Sequence, residues 1–186
     1  MSKLLSKKIL APHPGQAHPP LDIGVKLSLL GTDVVKLEYV VAGPVSDVLI
    51  PSRSDPERTD GLWQHTCFEA FIGTPEGSAY VEYNFSPSSE WAAYRFTGYR
   101  AGMAPALDLP APHIFVEHDG ARRLVQSVFV DVSALNAAGK GSIALSAVIE
   151  TRDGAKSYWA LKHPPGKPDF HHPDCFALKL PAAGRE

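Results

Sequence analysis

The sequence predicts an all-β protein, an antiparallel β-sandwich of jelly-roll type with about ten to twelve strands. Short runs in which apolar and polar residues alternate recur along the 186-residue chain, and this alternation is the pattern of a strand with one buried face. The 17 prolines and 15 glycines suit short strands joined by turns better than long helices. Turn residues separate the runs throughout, as expected for two packed sheets.

The expected elements follow one another from Asp22. Residues 1–21 contain four prolines and no periodicity, so we expect an N-terminal arm that lies on the surface or pairs loosely at a sheet edge. Residues 22–186 are long enough for one domain with one core. Strands are expected in DIGVKLSLL, VVKLEYVVAG, VSDVLIP, the two runs between residues 62 and 86, EWAAYRFTGYR, HIFVEHDG, ARRLVQSVFVDV, SIALSAVIETRDGAKSYWALKH and CFALKL.

Composition argues against several classes of partner. The formal charge is −2 with acids and bases interspersed, so we expect neither nucleic acid nor a membrane surface as a partner. No apolar stretch is long enough for a signal-peptide core or a membrane span, and we expect a cytoplasmic protein. Two cysteines in 186 residues do not make a disulfide framework, and we expect both to be reduced.

The central segment, residues 61–91, carries the side chains best suited to a ligand site. In each of its two runs, alternation puts the polar side chains on one face of the strand and apolar side chains on the other. Glu69 then shares a face with Trp63, and Asn84 shares a face with Glu82. We expect Arg95 of the next strand to join them. Aromatic rings beside carboxyl, amide and guanidinium groups can bind the C–H face and the hydroxyls of a sugar.

A resemblance to a known family rests on these residues. The W-x5-E of Trp63 and Glu69 inside LWQHTCFEAF, followed by YVEYNFSPS, resembles the DOMON-like domains and the family 9 carbohydrate-binding modules. The closing SYWALKHP and CFALKL segments resemble their last strands. The resemblance covers the chain from about Asp22 onward. It implies a β-sandwich that binds a saccharide or a sugar derivative without catalysing a reaction on it.

The resemblance also implies roles for individual residues. Trp63 would stack on a sugar ring and Glu69 would accept hydrogen bonds from hydroxyls. The family has a second stacking tryptophan shortly before its final strand, where this chain has Phe170 and His171, with Trp159 one strand earlier. The loop at residues 163–174 is expected to form a wall of the site. The predicted ligand-binding residues are Trp63, Glu69, Asn84, Arg95, Trp159, Phe170 and His171.

Three other functions stay open at this point. A zinc site could use side chains drawn from His65, Cys67, His171, His172 and Cys175. Some DOMON relatives hold haem between a methionine and a histidine, and Met103 could pair with His113, His118 or a loop histidine. Glu69 and Glu82 could be the carboxylate pair of a glycoside hydrolase. The chain contains no G-x-S-x-G, H-E-x-x-H, P-loop or dinucleotide motif, so we expect a binding module that is not an enzyme and needs no cofactor or metal.

Overall fold

Twelve strands make up the regular structure of the residues that the computed structural model describes, which are 2–73, 78–135 and 141–180. The strands are β1 (Ser2–Pro12), β2 (Asp22–Leu30), β3 (Val34–Ala42), β4 (Cys67–Gly73), β5 (Tyr80–Phe85), β6 (Trp91–Phe96), β7 (Ala104–Pro105), β8 (His113–His118), β9 (Arg123–Asp131), β10 (Ser142–Glu150), β11 (Lys156–Ala160) and β12 (Leu178–Lys179). Over these described ranges, no helix is long and apolar enough to cross a membrane. The predicted all-β fold is confirmed.

The strands form two antiparallel sheets that share β1. The first sheet has the order β8-β9-β3-β2-β1, and the second has the order β7-β6-β5-β4-β10-β11, with β12 beside β10. From Ser2 to Leu10, β1 pairs with β2, while its last residues Ala11 and Pro12 pair with β11. The ladder is therefore continuous and curls into two packed layers, which gives the β-sandwich.

The core lies between the two layers. Alternate residues of β3 are buried, and they pack with inward residues of β4 and β5 in one apolar cluster. The hydroxyl of Tyr39 donates a hydrogen bond to the backbone oxygen of Glu69 at 2.8 Å and so ties the first sheet to the second. Each fully buried apolar side chain of this kind contributes about 1.5 to 3 kcal/mol to folding. Those that form this inter-sheet core include Val35, Leu37, Tyr39, Val41, Phe68, Ala70, Ile72, Val81, Tyr83 and Phe85.

Three expected elements differ in the structure. The expected arm supplies a long strand, β1, which lies between β2 and β11 rather than loosely at an edge. The VSDVLIP segment is not a strand but contains a 3-10 turn at Val45–Asp47, where Asp47 N bonds back to Pro44 O. CFALKL is extended only at Leu178–Lys179, because Pro173–Cys175 form another 3-10 turn just before it.

The outer face of the second sheet is covered rather than open to solvent. All seven residues of β4 are buried, although alternate ones point away from the core. The covering segments are residues 57–66 before β4 and residues 161–177 after β11. Leu62 of the first segment and Phe170 of the second belong to an apolar cluster with the outward Phe71. The two segments leave a gap between them, and the candidate site lies in it.

Candidate functional site

Neighbouring strands bring polar and aromatic side chains together on this outer face. Phe71 of β4 pairs with Glu82 of β5, which pairs with Tyr94 of β6, and directly opposed residues point to the same face. On the other side of β4, Glu69 pairs with Ser146 of β10. These pairings put Glu69 and Glu82 diagonally across the β4–β5 ladder, within reach of each other's side chains.

An open cavity of about 470 Å³ lies over these residues. Its walls come from the 3-10 turn before β4, from strands β4, β5, β6, β10 and β11, and from the loops that follow β6 and β11. The residues that line it are Trp63, Gln64, Glu69, Phe71, Glu82, Phe96, Arg100, Met103, Val148, Lys156, Tyr158, Pro168, Phe170 and His171.

Trp63 forms an aromatic wall at the mouth of the cavity. Gly61 adopts φ = 79°, a left-handed conformation that glycine takes without strain, and it starts a 3-10 turn over Leu62–Gln64. The turn buries Leu62 and leaves Trp63 with 37 % of its surface exposed. The indole meets the ring of Tyr94 edge to face at 5.8 Å, and the Tyr94 hydroxyl donates to Asp60 at 2.6 Å. An exposed indole held in this way can stack on a ligand without reordering.

Glu69 lies at the floor with one carboxyl oxygen uncommitted. The residue is only 3 % exposed, and its Oε2 accepts a hydrogen bond from Ser146 Oγ at 2.9 Å. No donor in the described part of the chain contacts its Oε1. Burial, and to a smaller extent the charge of Glu82, raise the pKa of Glu69 to about 8 against the opposing effect of the Ser146 hydrogen bond. At neutral pH this carboxyl is therefore largely protonated.

Glu82 is the second buried carboxyl of the cavity. Its Oε1 accepts a hydrogen bond from Asn84 Nδ2 at 2.8 Å, and its Oε2 lies 3.6 Å from His171 Nε2. Burial raises the pKa of Glu82, whereas the Asn84 hydrogen bond and the charge of Arg100 lower it. Asn84 is fully buried and so fixes the rotamer of Glu82.

His171 is neutral in this environment, and its hydrogen bonds define its tautomer. Burial is the main reason that its pKa falls to about 4. The Tyr80 hydroxyl accepts a hydrogen bond from the backbone N–H of Arg100 at 3.2 Å. It can therefore donate its own hydrogen bond to His171 Nδ1, which lies 2.7 Å away. We therefore assign the imidazole proton to Nε2, which points toward Glu82. The ring also packs at 5.0 Å from Phe71, so the loop is tied to the sheet.

An ion pair holds the loop that carries Phe170 and His171. Asp169 Oδ1 accepts hydrogen bonds from Arg100 Nε at 3.1 Å and from Arg100 Nη2 at 2.7 Å. The hydroxyl of Tyr99 donates to the other oxygen of Asp169. The connection after β6 and the connection after β11 are thus joined, and together they close one side of the cavity.

Four of the seven predicted site residues line this one cavity: Trp63, Glu69, Phe170 and His171. The expected wall at residues 163–174 supplies Pro168, Phe170 and His171. Asn84 lies on the same sheet face but does not line the cavity, because its side chain is directed to Glu82. It positions an acid instead of facing a ligand.

The structure places Arg95 and Trp159 away from the cavity, and both predictions are corrected. Arg95 pairs with Val81, so it points to the side opposite Glu82, where its guanidinium bonds to Asp108 at 2.6 Å. Trp159 is 2 % exposed and belongs to the inter-sheet core, and its Nε1 donates to Ser157 Oγ at 2.9 Å.

Several cavity residues were not among the predicted ones. Tyr158 was detectable in principle, because alternation places it on the face opposite a core Trp159. Glu82 shares the predicted polar face of β5. Nothing in the sequence indicates that Arg100 and Met103 return to the cavity, because they lie in an irregular connection whose path depends on tertiary contacts.

The expected zinc ligands do not converge. His65 Nδ1 bonds to Glu150 Oε2 at 2.7 Å, and Cys67 is buried against Asn84. Cys175 Sγ lies 3.2 Å from the backbone oxygen of Lys162. Residues 2–73, 78–135 and 141–180 contain no group of three or more His, Cys, Asp or Glu side chains that could hold a metal ion.

The residues present do not fit an axially ligated haem. Met103 and His171 line the same cavity, which is the one feature in favour of this group. Iron ligation, however, needs an imidazole nitrogen with a free lone pair. Nδ1 of His171 accepts the Tyr80 proton, and Nε2 carries its own proton toward Glu82, so neither nitrogen offers one. His113 and His118 lie on β8, an edge strand of the first sheet, and do not line the cavity.

Solved structures of carbohydrate-binding proteins share this fold. One is a "putative carbohydrate-binding protein" from Bacteroides uniformis ATCC 8492, with a TM-score of 0.65, 10 % identity, and coverage of 91 % of this chain and 83 % of the other. A family 9 carbohydrate-binding module from Caldicellulosiruptor kristjanssonii, in complex with cellotriose, has a TM-score of 0.56, 12 % identity and coverage of 97 % and 84 %. A family 9 module from the same organism, in complex with glucose, has a TM-score of 0.54 and 13 % identity, and the match covers 92 % of this chain and 81 % of the other.

These likenesses confirm the family 9 resemblance at the level of the fold. The identities are low, so they establish how the chain is folded and leave its ligand to the chemistry of the cavity. No protein-family model matches the chain, and no curated protein matches it in sequence. The DOMON part of the resemblance stays a prediction.

Proposed function

We propose that this protein is a non-catalytic module that binds a saccharide in the cavity on the outer face of its second sheet. The observation that carries the proposal is the exposed indole of Trp63 over the same cavity as the carboxyl of Glu69, one oxygen of which is uncommitted. A sugar ring presents a C–H face to an aromatic side chain and hydroxyls to polar groups. Family 9 modules of the same fold in complex with cellotriose and with glucose support the assignment.

The remaining cavity residues complete such a site. A protonated Glu69 both donates and accepts hydrogen bonds, and therefore suits a hydroxyl group. Tyr158 and Phe170 extend the apolar wall, and their rings lie 6.1 Å apart. Asn84 and the Arg100–Asp169 pair hold the floor and the loop in place, so the site is formed before a ligand arrives.

The non-catalytic part of the proposal rests on the two acids. Glycoside hydrolysis requires one carboxylate as nucleophile or base and one carboxylic acid as proton donor. Glu69 and Glu82 lie side by side on one face of the β4–β5 ladder, and so do not flank a bound glycosidic bond from opposite sides as this chemistry needs. Oligosaccharides incubated with the protein are expected to release no new reducing ends, and the protein is expected to show no Soret absorption.

The cytoplasmic location and the absence of nucleic-acid and membrane partners stay predictions.

Titration calorimetry with glucose and short β-glucan oligosaccharides tests the proposal. Replacing Trp63 by Ala removes the stacking surface, which for bases on aromatic side chains contributes about 1 to 3 kcal/mol, so Kd should rise by roughly 5- to 150-fold. Phe115→Ala is the matched control, because Phe115 is also an exposed aromatic residue, 57 % exposed, and lies on β8 of the other sheet. Equal Kd values for the two variants, or no saccharide binding across a glycan array, would refute the proposal.

A further inference from the structure

In the described part of the chain, neither buried acid of the cavity forms an ion pair with a lysine or an arginine. Arg100 is committed to Asp169 through two hydrogen bonds, and His171 is neutral. Lys156 lines the cavity but is an exposed residue of β11. Among the described residues, the only basic side chain within 4 Å of either carboxyl is the imidazole of His171, whose Nε2 lies 3.6 Å from Glu82 Oε2.

A bound cation would relieve this arrangement. Glu69 avoids the cost of a buried charge by keeping its proton, and a hydrogen-bonded cation would offset the cost of a buried carboxylate at Glu69 or Glu82. Among the described residues, no donor bonds to Glu69 Oε1, and only the His171 imidazole, at 3.6 Å, approaches Glu82 Oε2. Both oxygens can therefore accept hydrogen bonds from one ligand group. Trp63 and Tyr158 add aromatic faces, which attract cations through the charge distribution of their rings.

We propose that the cavity selects saccharides that carry a protonated amine, such as a hexosamine, over neutral sugars of the same shape. This inference rests on the proposed saccharide site and specifies its ligand class. The ammonium group donates to Glu69 Oε1 and Glu82 Oε2, and the sugar ring lies against Trp63. A sugar with a carboxylate is disfavoured, because it would bring a third acid to the floor.

The assignment also predicts that binding releases a proton. Glu69 is largely protonated in the free protein, and an ammonium beside it favours the ionised form, so the carboxyl proton passes to the buffer while the ligand keeps its own. The titratable groups that interact with Glu69 are Glu82 on β5, Cys67 on β4 and Tyr39 on β3. The other charged or titratable groups that line the cavity are Lys156 and Tyr158 on β11, and Arg100 and His171 in the loops.

Calorimetry at pH 6.5 on the full chain compares glucosamine, glucose, N-acetylglucosamine and glucuronate, since an amine with an ordinary pKa near 8 is charged there. A charge-assisted hydrogen bond is expected to make the Kd of glucosamine at least about 10-fold lower than that of glucose. N-acetylglucosamine, which has lost the charge, should bind like glucose, and glucuronate should bind most weakly. Repeating the glucosamine titration in two buffers of different ionisation enthalpy measures the released proton.

Glu82→Gln keeps an oxygen for Asn84 and removes the charge, so the ratio of glucose Kd to glucosamine Kd should fall toward one. Glu117→Gln makes the same change at an exposed position of β8 and should leave the ratio as in the unmodified protein. If glucose binds as tightly as glucosamine, or if Glu82→Gln keeps the ratio, the amine preference is wrong while the saccharide site stands. If none of the four sugars binds, the proposed saccharide site itself is wrong.

Discussion

Replacing Glu69 by Gln should change how the stability of the protein depends on pH. The carboxyl has an ordinary pKa of 4.5, and burial together with Glu82 raises it to about 8 in the folded chain. Between these values the unfolded chain releases the proton that the folded chain keeps. An acid whose pKa is raised by folding therefore costs stability as the pH rises through this window.

The structure gives the size of this effect. Each pKa unit corresponds to about 1.4 kcal/mol, so the carboxyl of Glu69 removes at most about 5 kcal/mol of the free energy of unfolding between pH 4.5 and pH 8. This is a large share of the stability of an ordinary domain. Gln has almost the same shape, does not titrate, and can still accept the hydrogen bond from Ser146. The variant should therefore gain stability relative to the unmodified protein as the pH rises.

Urea unfolding of both proteins at pH 5, 6, 7 and 8 measures the change. The quantity to compare is the difference in free energy of unfolding between Glu69→Gln and the unmodified chain. Titrating groups that do not interact with Glu69, such as His171, contribute equally to both and cancel, so the difference reports Glu69 together with its interaction with Glu82. Glu117→Gln, an exposed acid on β8, is the control and should give a difference that does not vary with pH. A Glu69→Gln difference that stays constant across the series would refute the buried, protonated carboxyl.

Two further predictions separate the core from the site. Trp159→Ala should lower the free energy of unfolding by about 3 to 5 kcal/mol, as expected of a buried aromatic residue, whereas Trp63→Ala should lower it by much less; urea unfolding of both variants checks this. Equal losses would place Trp63 in the core. Arg95→Ala should leave every saccharide Kd unchanged, because its guanidinium bonds to Asp108 on the side opposite the cavity; a clear rise in Kd by calorimetry would contradict that placement.

The pattern within single strands was sufficient to predict the fold class and part of the site. Apolar and polar alternation depends only on the two-residue repeat of an extended chain, so it separates Glu69 from Phe68 without any knowledge of neighbours. Turn residues mark the strand ends in the same local way, as at Asp153 and Gly154, where Gly154 has φ = 84°. The spacing of Trp63 and Glu69 then pointed to the cavity that the fold forms.

The register of neighbouring strands and the paths of the loops were decided by the tertiary structure alone. Which face of β6 joins which face of β5 depends on register, and Val81 opposite Arg95 turns that arginine away from Glu82. The same rule sends Trp159 inward and its neighbour Tyr158 into the cavity, although both are aromatic. Arg100 reaches the site only because Asp169, 69 positions later in the chain, bonds to it. Alternation is a local property of the sequence, whereas register and loop paths depend on contacts between segments far apart in it. For that reason the sequence predicted four residues of the candidate site, and the packed structure determined which others line the cavity.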